Sequence, residues 1–360
     1  MHESNISPLA QMSDYNHEQV TFCYDKVTGL RAIIAIHNTV LGPGMGGTRM
    51  WDYNSEGEAL TDALRLSRGM TLKNAIAGLN IGGGKAVIIG DAGKIKNEAL
   101  MRKFGQFVDG LNGNYWTASD VNMTIQDMQY IKMETDYVTG LSNKTGGSGD
   151  PSPVTAYGVY MGMKGACKSI FGLDSLQGKK VMVQGVGKVG RALIDYLLAE
   201  DAEVMVSDLY KHQLESVSDR PVKVVGLQDI WEQDFDIYAP CALGATLNHG
   251  TIPLLKCAII AGGANNQLED EDKDARLLKE RGIAYVPDFL INGGGITNVY
   301  FEQQGMYNRE TVMDHTAGIY DKAIEVLKNA NRYNITTHES AVASAMSRID
   351  QISQAKLKSK

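Results

Sequence analysis

The sequence predicts an α/β protein of two domains, and the second domain contains a doubly wound parallel sheet. The chain has 360 residues, which is long enough to bury two hydrophobic cores. Its second half alternates short apolar strands with helical stretches, as chains that form parallel sheets do. A loop rich in glycine and serine at 142–153 separates the two parts, so we expect the domain boundary between residues 146 and 147.

The composition excludes several classes of protein. Hydrophobic residues make up 43% of the chain and charged residues 21%, which is the balance of a folded soluble protein. The net charge is -7 and basic residues cluster only in a short LKSK tail, so we expect neither nucleic acid nor a membrane as partner. The first residues lack a basic start followed by an apolar core, so we expect no signal peptide, and no run of 18 apolar residues occurs in the sequence.

The cysteines and histidines lack the spacings of a disulfide framework or a metal site. The cysteines are scattered along the chain at Cys23, Cys167, Cys241 and Cys257. Free thiols in a reducing compartment account for this pattern, so we expect a cytoplasmic protein. The seven histidines include no i, i+4 pair, and we therefore expect no metal.

The first domain begins with a loose polar segment over residues 1–14. Two strands, QVTFCYD and RAIIAIHN, follow and are joined by a turn at Thr28 and Gly29. Apolar residues spaced for one buried side predict a helix from Ser55 to Met70, with Lys73 just beyond its end. A second helix is expected over 97–111, and Thr124 with Asp127 forms a capping box for a third.

A glycine-rich stretch surrounds Lys85. The run KAVIIG reads as a buried strand with Lys85 at its start, and glycines at 82, 83 and 84 let backbone approach closely. A lysine near glycines is ordinarily a surface residue at a turn. If this one is enclosed, lost hydration and a second cation such as Lys73 lower its pKa and make it a general base.

The second domain has six predicted strands, and a dinucleotide fingerprint follows the first of them. The strands are KVMVQG, EVMVSD, VKVVG, FDIYAP, CAIIAGG and AYVPD, preceded by a helix from Pro153 to about Phe171. The fingerprint GVGKVG comprises Gly185, Val186, Gly187, Lys188, Val189 and Gly190. It predicts a Rossmann-type domain whose helix N-terminus receives phosphates. Asp208 ends the next strand and would accept both ribose hydroxyls, which favours NAD over NADP.

Several segments, in order along the chain, resemble the glutamate, leucine, phenylalanine and valine dehydrogenase family. They are GPGMGGTR, GMTLKNA, GLNIGGGKAVIIGD, TASDVN, PSPVTAYG, AGGANNQL and INGGGITNV. The resemblance implies a substrate and oligomerisation domain of residues 1–146, with 334–360 packing back on it, and an NAD-binding domain of 147–333. It also implies a homo-oligomer, with an octamer expected, and chemistry in a cleft that closes.

The resemblance assigns roles to individual residues. Lys85 is the catalytic lysine that activates water, Asp120 exchanges protons with the amino nitrogen, and Lys73 holds the substrate carboxylate. Gly46 and Gly47 belong to the loop whose backbone meets the substrate. The residues implied at the nicotinamide end are Thr155, Asn265, Asn266 and Asn292.

The resemblance also implies a substrate. Its side-chain pocket is formed by Met45, Ala118, Ile296 and Val299, which are all apolar, so leucine is expected with valine and isoleucine behind it. A buried glutamate side chain would cost several kcal/mol there. The departures Gly44, Asn122 and Gly293 keep phenylalanine or tryptophan open as alternatives.

The expected activity is NAD-dependent oxidative deamination of leucine to its 2-oxo acid and ammonia. One rival is a catalytically silent NAD-binding regulatory protein, which predicts loss of Lys73, Lys85 or Asp120, although all three are present. Another rival is a hydroxy-acid dehydrogenase. That chemistry uses a histidine with an arginine, and none of these segments contains a histidine.

Overall fold

The computed structural model describes residues 7–142, 146–242 and 244–358, which form two compact units. The first unit runs up to Asp150 and adds Val299–Tyr307 and the chain from Met346. The second unit comprises Pro151–Asn298 and Asn308–Ala345. The division after Asp150 lies within the glycine- and serine-rich loop. Compared with the predicted boundaries, 299–307 join the first unit and 334–345 join the second.

The first unit contains a mixed sheet with helices. Its helices before Asp150 are α1 (Pro8–Tyr15), α2 (Glu56–Ile76), α3 (Ala92–Ile95), α4 (Glu98–Asp109) and α5 (Ile125–Lys132). Its strands are β1 (Gln19–Asp25), β2 (Leu30–Asn38), β3 (Gly44–Met45), β4 (Thr48–Trp51), β5 (Gly82–Ile89) and β6 (Tyr115–Trp116). The strand order is β1-β2-β5-β3-β6, and β4 also pairs with β5. Strands β1 and β2 are antiparallel to their neighbours, whereas β3, β4 and β6 pair in parallel.

Local signals explain most element ends in this unit. The hairpin between β1 and β2 turns at Gly29, whose φ of 75° suits glycine. The Ser55 side chain accepts from Glu58 N and caps α2, and the predicted Thr124–Asp127 capping box starts α5. These local predictions are confirmed.

Three local predictions are wrong. Residues 8–15 form helix α1 rather than a loose segment, because Ser7 caps it and Pro8 suits its first turn. Helix α2 continues to Ile76, so Lys73 lies in its last turn rather than beyond it. Strand β5 begins at Gly82, which places Lys85 within the strand rather than at its start.

The glycines of β5 allow three neighbours to contact it closely. A Cβ on Gly82 would lie 2.0 Å from Asn38 O of β2, and one on Gly83 would lie 2.0 Å from Thr71 Oγ1 of α2. A Cβ on Gly84 would lie 2.8 Å from the Tyr115 ring. Side chains at these positions would push β2, α2 and β6 away from β5. This packing also explains why α2 extends past its predicted end.

A pair of histidines, His17 just after α1 and His37 on β2, connects these segments to α2, and His37 Nε2 is also hydrogen-bonded to Tyr15 O of α1 at 3.1 Å. His17 Nε2 is hydrogen-bonded to Ser67 Oγ at 2.7 Å, and His37 Nδ1 to Thr71 Oγ1 at 2.8 Å. The two imidazole rings meet edge to face with centroids 4.8 Å apart. Burial lowers the pKa of both histidines to about 4, and for His17 the neighbouring His37 adds to the effect. Both rings are therefore neutral at pH 7.

The second unit contains a six-stranded parallel sheet, as predicted. Its strands are β7 (Lys180–Gln184), β8 (Glu203–Ser207), β9 (Val222–Val224), β10 (Ile237–Pro240), β11 (Ile259–Ile260) and β12 (Ala284–Tyr285). The helices after Asp150 are α6 (Ser152–Phe171), α7 (Lys188–Ala199), α8 (Lys211–Glu215), α9 (Glu271–Glu280), α10 (Asp288–Ile291), α11 (Gly294–Gln303), α12 (Arg309–Ala317), α13 (Ile319–Tyr333) and α14 (Thr337–Lys358). The part of the chain after Tyr307 is helical, which confirms that prediction.

The strand order of the second sheet is β12-β11-β10-β7-β8-β9. The chain moves outward from β7 to β9 and then returns to start β10 on the other side of β7. The sheet therefore reverses its winding between β7 and β10, and doubly wound sheets bind their ligands at the carboxyl ends of the strands beside such a point. The predicted fold class is confirmed.

Helices α11 and α14 explain the two differences from the predicted boundaries. The Glu302 carboxylate of α11 accepts hydrogen bonds from the backbone of Gly140, Leu141 and Ser148, which ties its segment to the first unit. The Ser340 hydroxyl of α14 donates to Val326 O of α13 at 2.9 Å, within the second unit. Across the described helices, none has the length and apolar character needed to cross a membrane.

Candidate functional site

In the first unit the buried Lys85 forms an ion pair with the half-buried Asp120. Lys85 lies on β5 and is 6% exposed, with its Nζ donating to Asp120 Oδ2 at 2.5 Å. Asp120 directly follows Ser119, which forms a β-bridge with Thr48 of β4. The two residues predicted to carry the chemistry are therefore in contact, although 35 residues separate them in the sequence.

Burial lowers the pKa of the Lys85 ammonium below its usual value, because the enclosed amine loses its hydration. The negative charge of Asp120 stabilises the protonated form of Lys85 and limits the fall in its pKa. The positive charge of Arg49 destabilises that form and lowers the pKa further. The pKa direction matches the sequence prediction. The cation that adds to it here is Arg49, where the sequence interpretation had suggested Lys73.

Sequence reasoning missed Arg49. Its Nε donates to Asp120 Oδ2 at 3.2 Å, and its Nη1 donates to Asp62 Oδ2 at 3.1 Å. Tyr53 also donates to Asp62 Oδ2, at 2.6 Å. The hint in the sequence is position, because the arginine lies two residues after Gly47 and is flanked in β4 by the buried Thr48 and Met50.

Asp120 remains ionised between the two cations. Burial alone would raise the pKa of its carboxyl, but Lys85 and Arg49 outweigh that effect, so the pKa falls below its usual range. An ionised carboxylate beside an amine of lowered pKa forms an acid/base pair able to move protons near neutral pH.

The loop of Gly46 and Gly47 packs against this pair. A Cβ on Gly46 would lie 1.8 Å from Gly84 O, and one on Gly47 would lie 3.0 Å from Asp120 Cβ. The Tyr115 hydroxyl donates to Gly46 O at 2.6 Å and thereby holds the loop against β6. Only glycine leaves the loop backbone this close to Lys85 and Asp120.

The remaining predicted residues of the first unit lie on neighbouring elements. Lys73 is half-buried in the last turn of α2, where the adjacent Asn74 donates to Gly82 O of β5 at 2.6 Å. Met45 is fully buried on β3, and Ala118 is half-buried two residues after β6. The other pocket candidates are on α11, where Val299 belongs to the first unit and Ile296 to the second.

The three glycines of the fingerprint occupy three different environments. Gly185 has a φ of 103°, and a Cβ there would lie 2.6 Å from Ala242 N. A Cβ on Gly190 would lie 2.0 Å from Gly185 O, so helix α7 packs closely on the turn. Around Gly187 no atom of the described residues lies within 4 Å of the Cβ position. The turn therefore leaves open space at the N-terminus of α7, where Val186, Lys188 and Val189 complete a cradle suited to a pyrophosphate.

Asp208 lies beside that turn. Its Oδ2 accepts from Val186 N at 2.7 Å, and its Oδ1 accepts from Tyr210 N at 2.8 Å. The two backbone donors fix the half-buried carboxylate next to the fingerprint. A carboxylate in this position accepts hydrogen bonds from ribose hydroxyls and repels a phosphate.

The amide-rich segments of the second unit meet at Asn292. Its Nδ2 donates to Asn265 Oδ1 at 2.8 Å, and its Oδ1 is buried with no hydrogen-bond partner among the described residues. A buried carbonyl oxygen without a donor suits a ligand amide or hydroxyl. Asn266 has a φ of 51° and donates its backbone N–H to Asp288. Thr155 lies on α6, where its hydroxyl would be 2.8 Å from a Cβ on Gly295.

A doubly wound domain with this cradle, together with a buried lysine paired to a carboxylate, indicates a dinucleotide-dependent oxidoreductase. The sequence matches the family model for the Glu/Leu/Phe/Val dehydrogenase dimerisation domain over residues 17–137. It also matches the model for glutamate/leucine/phenylalanine/valine dehydrogenase over 146–211 and 208–356. The chain therefore belongs to the Glu/Leu/Phe/Val dehydrogenase family, as the sequence motifs indicated.

Individual relatives cover nearly the whole chain. Leucine dehydrogenase of Geobacillus stearothermophilus is 54% identical over 346 residues, which are 96% of this chain and 94% of that protein. Leucine dehydrogenase of Bacillus subtilis (strain 168) is 52% identical over 342 residues, 95% of this chain and 93% of that protein. The crystal structure of L-tryptophan dehydrogenase from Nostoc punctiforme is similar with a TM-score of 0.86 and 43% identity, covering 96% of this chain and 99% of that one. The chain is an NAD-dependent amino acid dehydrogenase.

Proposed function

We propose that the chain oxidises L-leucine, and more weakly valine and isoleucine. L-Leucine, water and NAD⁺ give 4-methyl-2-oxopentanoate, ammonium, NADH and one proton, and the reaction is reversible. The observation that carries this proposal is the ion pair between the buried Lys85 and Asp120 beside a glycine loop.

The proposed roles follow from the chemistry of each group. Asp120 takes a proton from the substrate ammonium, which leaves a neutral amine whose α-carbon can release hydride. Lys85, once neutral, removes a proton from the water that attacks the resulting imine. Lys73 holds the substrate carboxylate with its positive charge, and the backbone of Gly46 and Gly47 borders the substrate.

The second unit is proposed to hold the cofactor. Bound NAD would supply the hydride acceptor. The backbone of the Gly185–Gly190 turn would hold its pyrophosphate, and Asp208 its adenosine ribose. The nicotinamide end would meet Thr155, Asn265, Asn266 and Asn292. This assignment is supported by Asn292 Oδ1, which is buried and has no hydrogen-bond partner within the described part of the chain.

Two observations support leucine as the substrate: the identity to leucine dehydrogenases and the apolar side chains proposed for the substrate pocket. Both leucine dehydrogenases described above exceed 50% identity. Met45, Ala118, Ile296 and Val299 carry no charge, so a second carboxylate such as that of glutamate would be buried unpaired at a cost of several kcal/mol. Discrimination among leucine, valine and isoleucine remains small, since one methylene contributes about 1–3 kcal/mol.

An aromatic substrate is the second candidate, and the similarity to L-tryptophan dehydrogenase favours it. The departures at Asn122 and Gly44 give less support to an aromatic substrate. Asn122 has a φ of 60°, which asparagine tolerates nearly as well as glycine. A methyl on Gly44 would lie 3.1 Å from Ile36 Cγ2 and 3.2 Å from Gly83 O, so the glycine accommodates strand packing. These two departures therefore have structural reasons that do not involve the substrate.

We further propose a homo-oligomer, with an octamer as the expected size, that acts in the cytoplasm. The family model over residues 17–137 is described as a dimerisation domain, and the exposed Phe22 and Tyr24 lie on edge strand β1 of that segment. We assign substrate binding, catalysis and assembly to the first unit, and NAD binding to the second unit. The four cysteines are free thiols, which fits a reducing compartment.

The test is NADH formation from leucine, valine, isoleucine, phenylalanine, tryptophan and glutamate at alkaline pH. Leucine should give the highest kcat/KM, and Lys85→Ala should lower kcat by roughly 100-fold or more. The matched control Lys94→Ala removes an exposed lysine of the same unit and should change nothing. An aromatic amino acid as the best substrate would overturn leucine, and no NADH from any of the six would favour the regulatory rival.

A further inference from the structure

We propose that Arg49 is a positioning residue of this reaction, which holds the Asp120 carboxylate in place throughout the catalytic cycle and is itself held by Asp62 and Tyr53. The proposal rests on the function proposed above. It assigns a role to a residue outside the Lys73, Lys85 and Asp120 set. Arg49 contacts Asp120, so it acts on the reaction by orienting that carboxylate and by keeping it ionised.

The sheet brings Arg49 to the same side as Lys85. Arg49 of β4 pairs in register with Val87 of β5, two residues from Lys85. Alternate residues of a strand share a face, so Arg49, Val87 and Lys85 point to the same side of the sheet. Parallel pairing of these strands thus converts two distant positions in the sequence into one cluster.

Both cations contact the same oxygen of Asp120. Lys85 Nζ lies 2.5 Å and Arg49 Nε 3.2 Å from Oδ2, whereas Oδ1 takes part in neither ion pair. Two fixed donors on one oxygen restrict rotation of the carboxylate. Oδ1 therefore keeps a fixed orientation in which it can accept a proton from the substrate ammonium.

The opposite edge of the guanidinium is also held. Arg49 Nη1 donates to Asp62 on α2 at 3.1 Å, and Tyr53 donates to the same Asp62 oxygen at 2.6 Å. The Arg49 and Asp62 side chains are each 23% exposed, so water screens this pair less than a surface pair. A guanidinium with a carboxylate at each edge has little freedom to move.

The charge of Arg49 matters most when Lys85 is neutral. As a base Lys85 must lose its proton, and Asp120 then loses one of its two cationic partners. Arginine stays protonated at all relevant pH values. Arg49 therefore keeps a positive charge beside Asp120 Oδ2 at that stage, so the carboxylate stays ionised and available to take the proton of the substrate ammonium.

A structural role alone would make a different prediction. If Arg49 merely ties β4 to α2, its loss lowers the melting temperature and leaves the kinetics of the folded enzyme unchanged. If it positions Asp120, its loss changes the protonation of Asp120 and the catalytic step even where the protein remains folded. The two roles are therefore separable by experiment.

The experiment compares Arg49→Gln and Arg49→Lys with wild type and with Arg31→Gln. Arg31 is a matched control in the same unit, because it forms an exposed ion pair with Glu56 and lies outside the proposed site. We expect Arg49→Gln to lower kcat by roughly 10-fold or more while KM for NAD stays constant. The acidic limb of its kcat/KM profile should move to higher pH, and Arg49→Lys should recover part of both losses. Asp62→Asn should give a smaller loss of kcat in the same direction.

A second readout does not depend on turnover. An infrared pH titration follows the protonated carboxyl of Asp120, identified by its absence in Asp120→Asn, and we expect it at higher pH in Arg49→Gln. An unchanged titration, or a kcat and pH profile equal to those of Arg31→Gln, would overturn the role of Arg49. Lack of activity in wild type would instead overturn the proposed function, and the titration would still decide the question about Arg49.

Discussion

At the scale of single residues, we propose that Asp208 selects the dinucleotide that the second unit accepts. Its two carboxylate oxygens are fixed by Val186 N and Tyr210 N, so the charge cannot turn away from a 2′-phosphate. A fixed carboxylate is therefore a more selective group than a mobile one would be.

Replacing Asp208 with alanine should reduce the preference for NAD over NADP. The ratio of kcat/KM for NAD to that for NADP should fall by roughly 10- to 100-fold, the range for losing a hydrogen bond to a charged group. Steady-state kinetics with both cofactors measures this ratio. Asp234→Ala, at an exposed position of the same unit, is the control, and an unchanged ratio in Asp208→Ala would refute the assignment.

Residues within local motifs could be predicted from sequence, and residues joined by the fold could not. The environments of Gly185, Gly187 and Gly190 follow from their spacing between a strand and a helix. Arg49 lies 71 positions from Asp120 in the sequence. Its contact with Asp120 depends on the parallel pairing of β4 with β5, for which the sequence carries no local signal.

At the scale of elements, the strands of the second sheet were predictable and the length of α2 was not. The strands are short apolar runs bounded by polar residues, and such runs are visible in the sequence. The last turns of α2 are stabilised by contact with the glycines of β5. Such tertiary contacts override local propensity, so a prediction based on spacing ended the helix at Met70, which was too early.

The loop that precedes the second unit depends on a single carboxylate of α11. Glu302 accepts from Gly140 N, Leu141 N and Ser148 N, and also from the Ser148 hydroxyl at 2.5 Å. Glu302→Gln removes the charge and leaves an amide that satisfies fewer of these donors. We expect the free energy of unfolding to fall by about 1–3 kcal/mol.

Hydrogen exchange provides the specific measurement for Glu302→Gln. The backbone amides of Gly140, Leu141 and Ser148 should exchange faster than in wild type, while amides of β5 keep their protection. Glu310→Gln, an exposed position at the start of α12, serves as the control. Equal exchange at the loop in both variants would show that the carboxylate does not hold it.

At the scale of the whole molecule, acid should unfold the protein through the His17–His37 pair. The pKa of each is about 4 in the folded chain and about 6.5 when unfolded, so the unfolded chain binds more protons between these values. The stability from the neutral pair is complete above pH 6.5 and is lost as the pH falls toward 4. Arg68 opposes protonation of both rings and acts in the same direction.

Melting temperatures measured from pH 7 to pH 4 test this dependence. The wild-type melting temperature should fall over that range, and His17→Asn should show a shallower fall because one titrating ring is absent. His212→Asn alters an exposed histidine and should follow the wild type. A slope in His17→Asn as steep as that of the control would assign acid sensitivity to other groups.

The position of Lys85 inside β5 has a consequence for the timing of the reaction. The main chain at Lys85 is paired with Ala35 on one side, and the same strand is paired with β4 on the other. Moving that main chain would break the sheet, which happens only when the whole unit opens. The main chain that carries the amine is therefore set once, during folding, and we expect only the Lys85 side chain to move during a turnover.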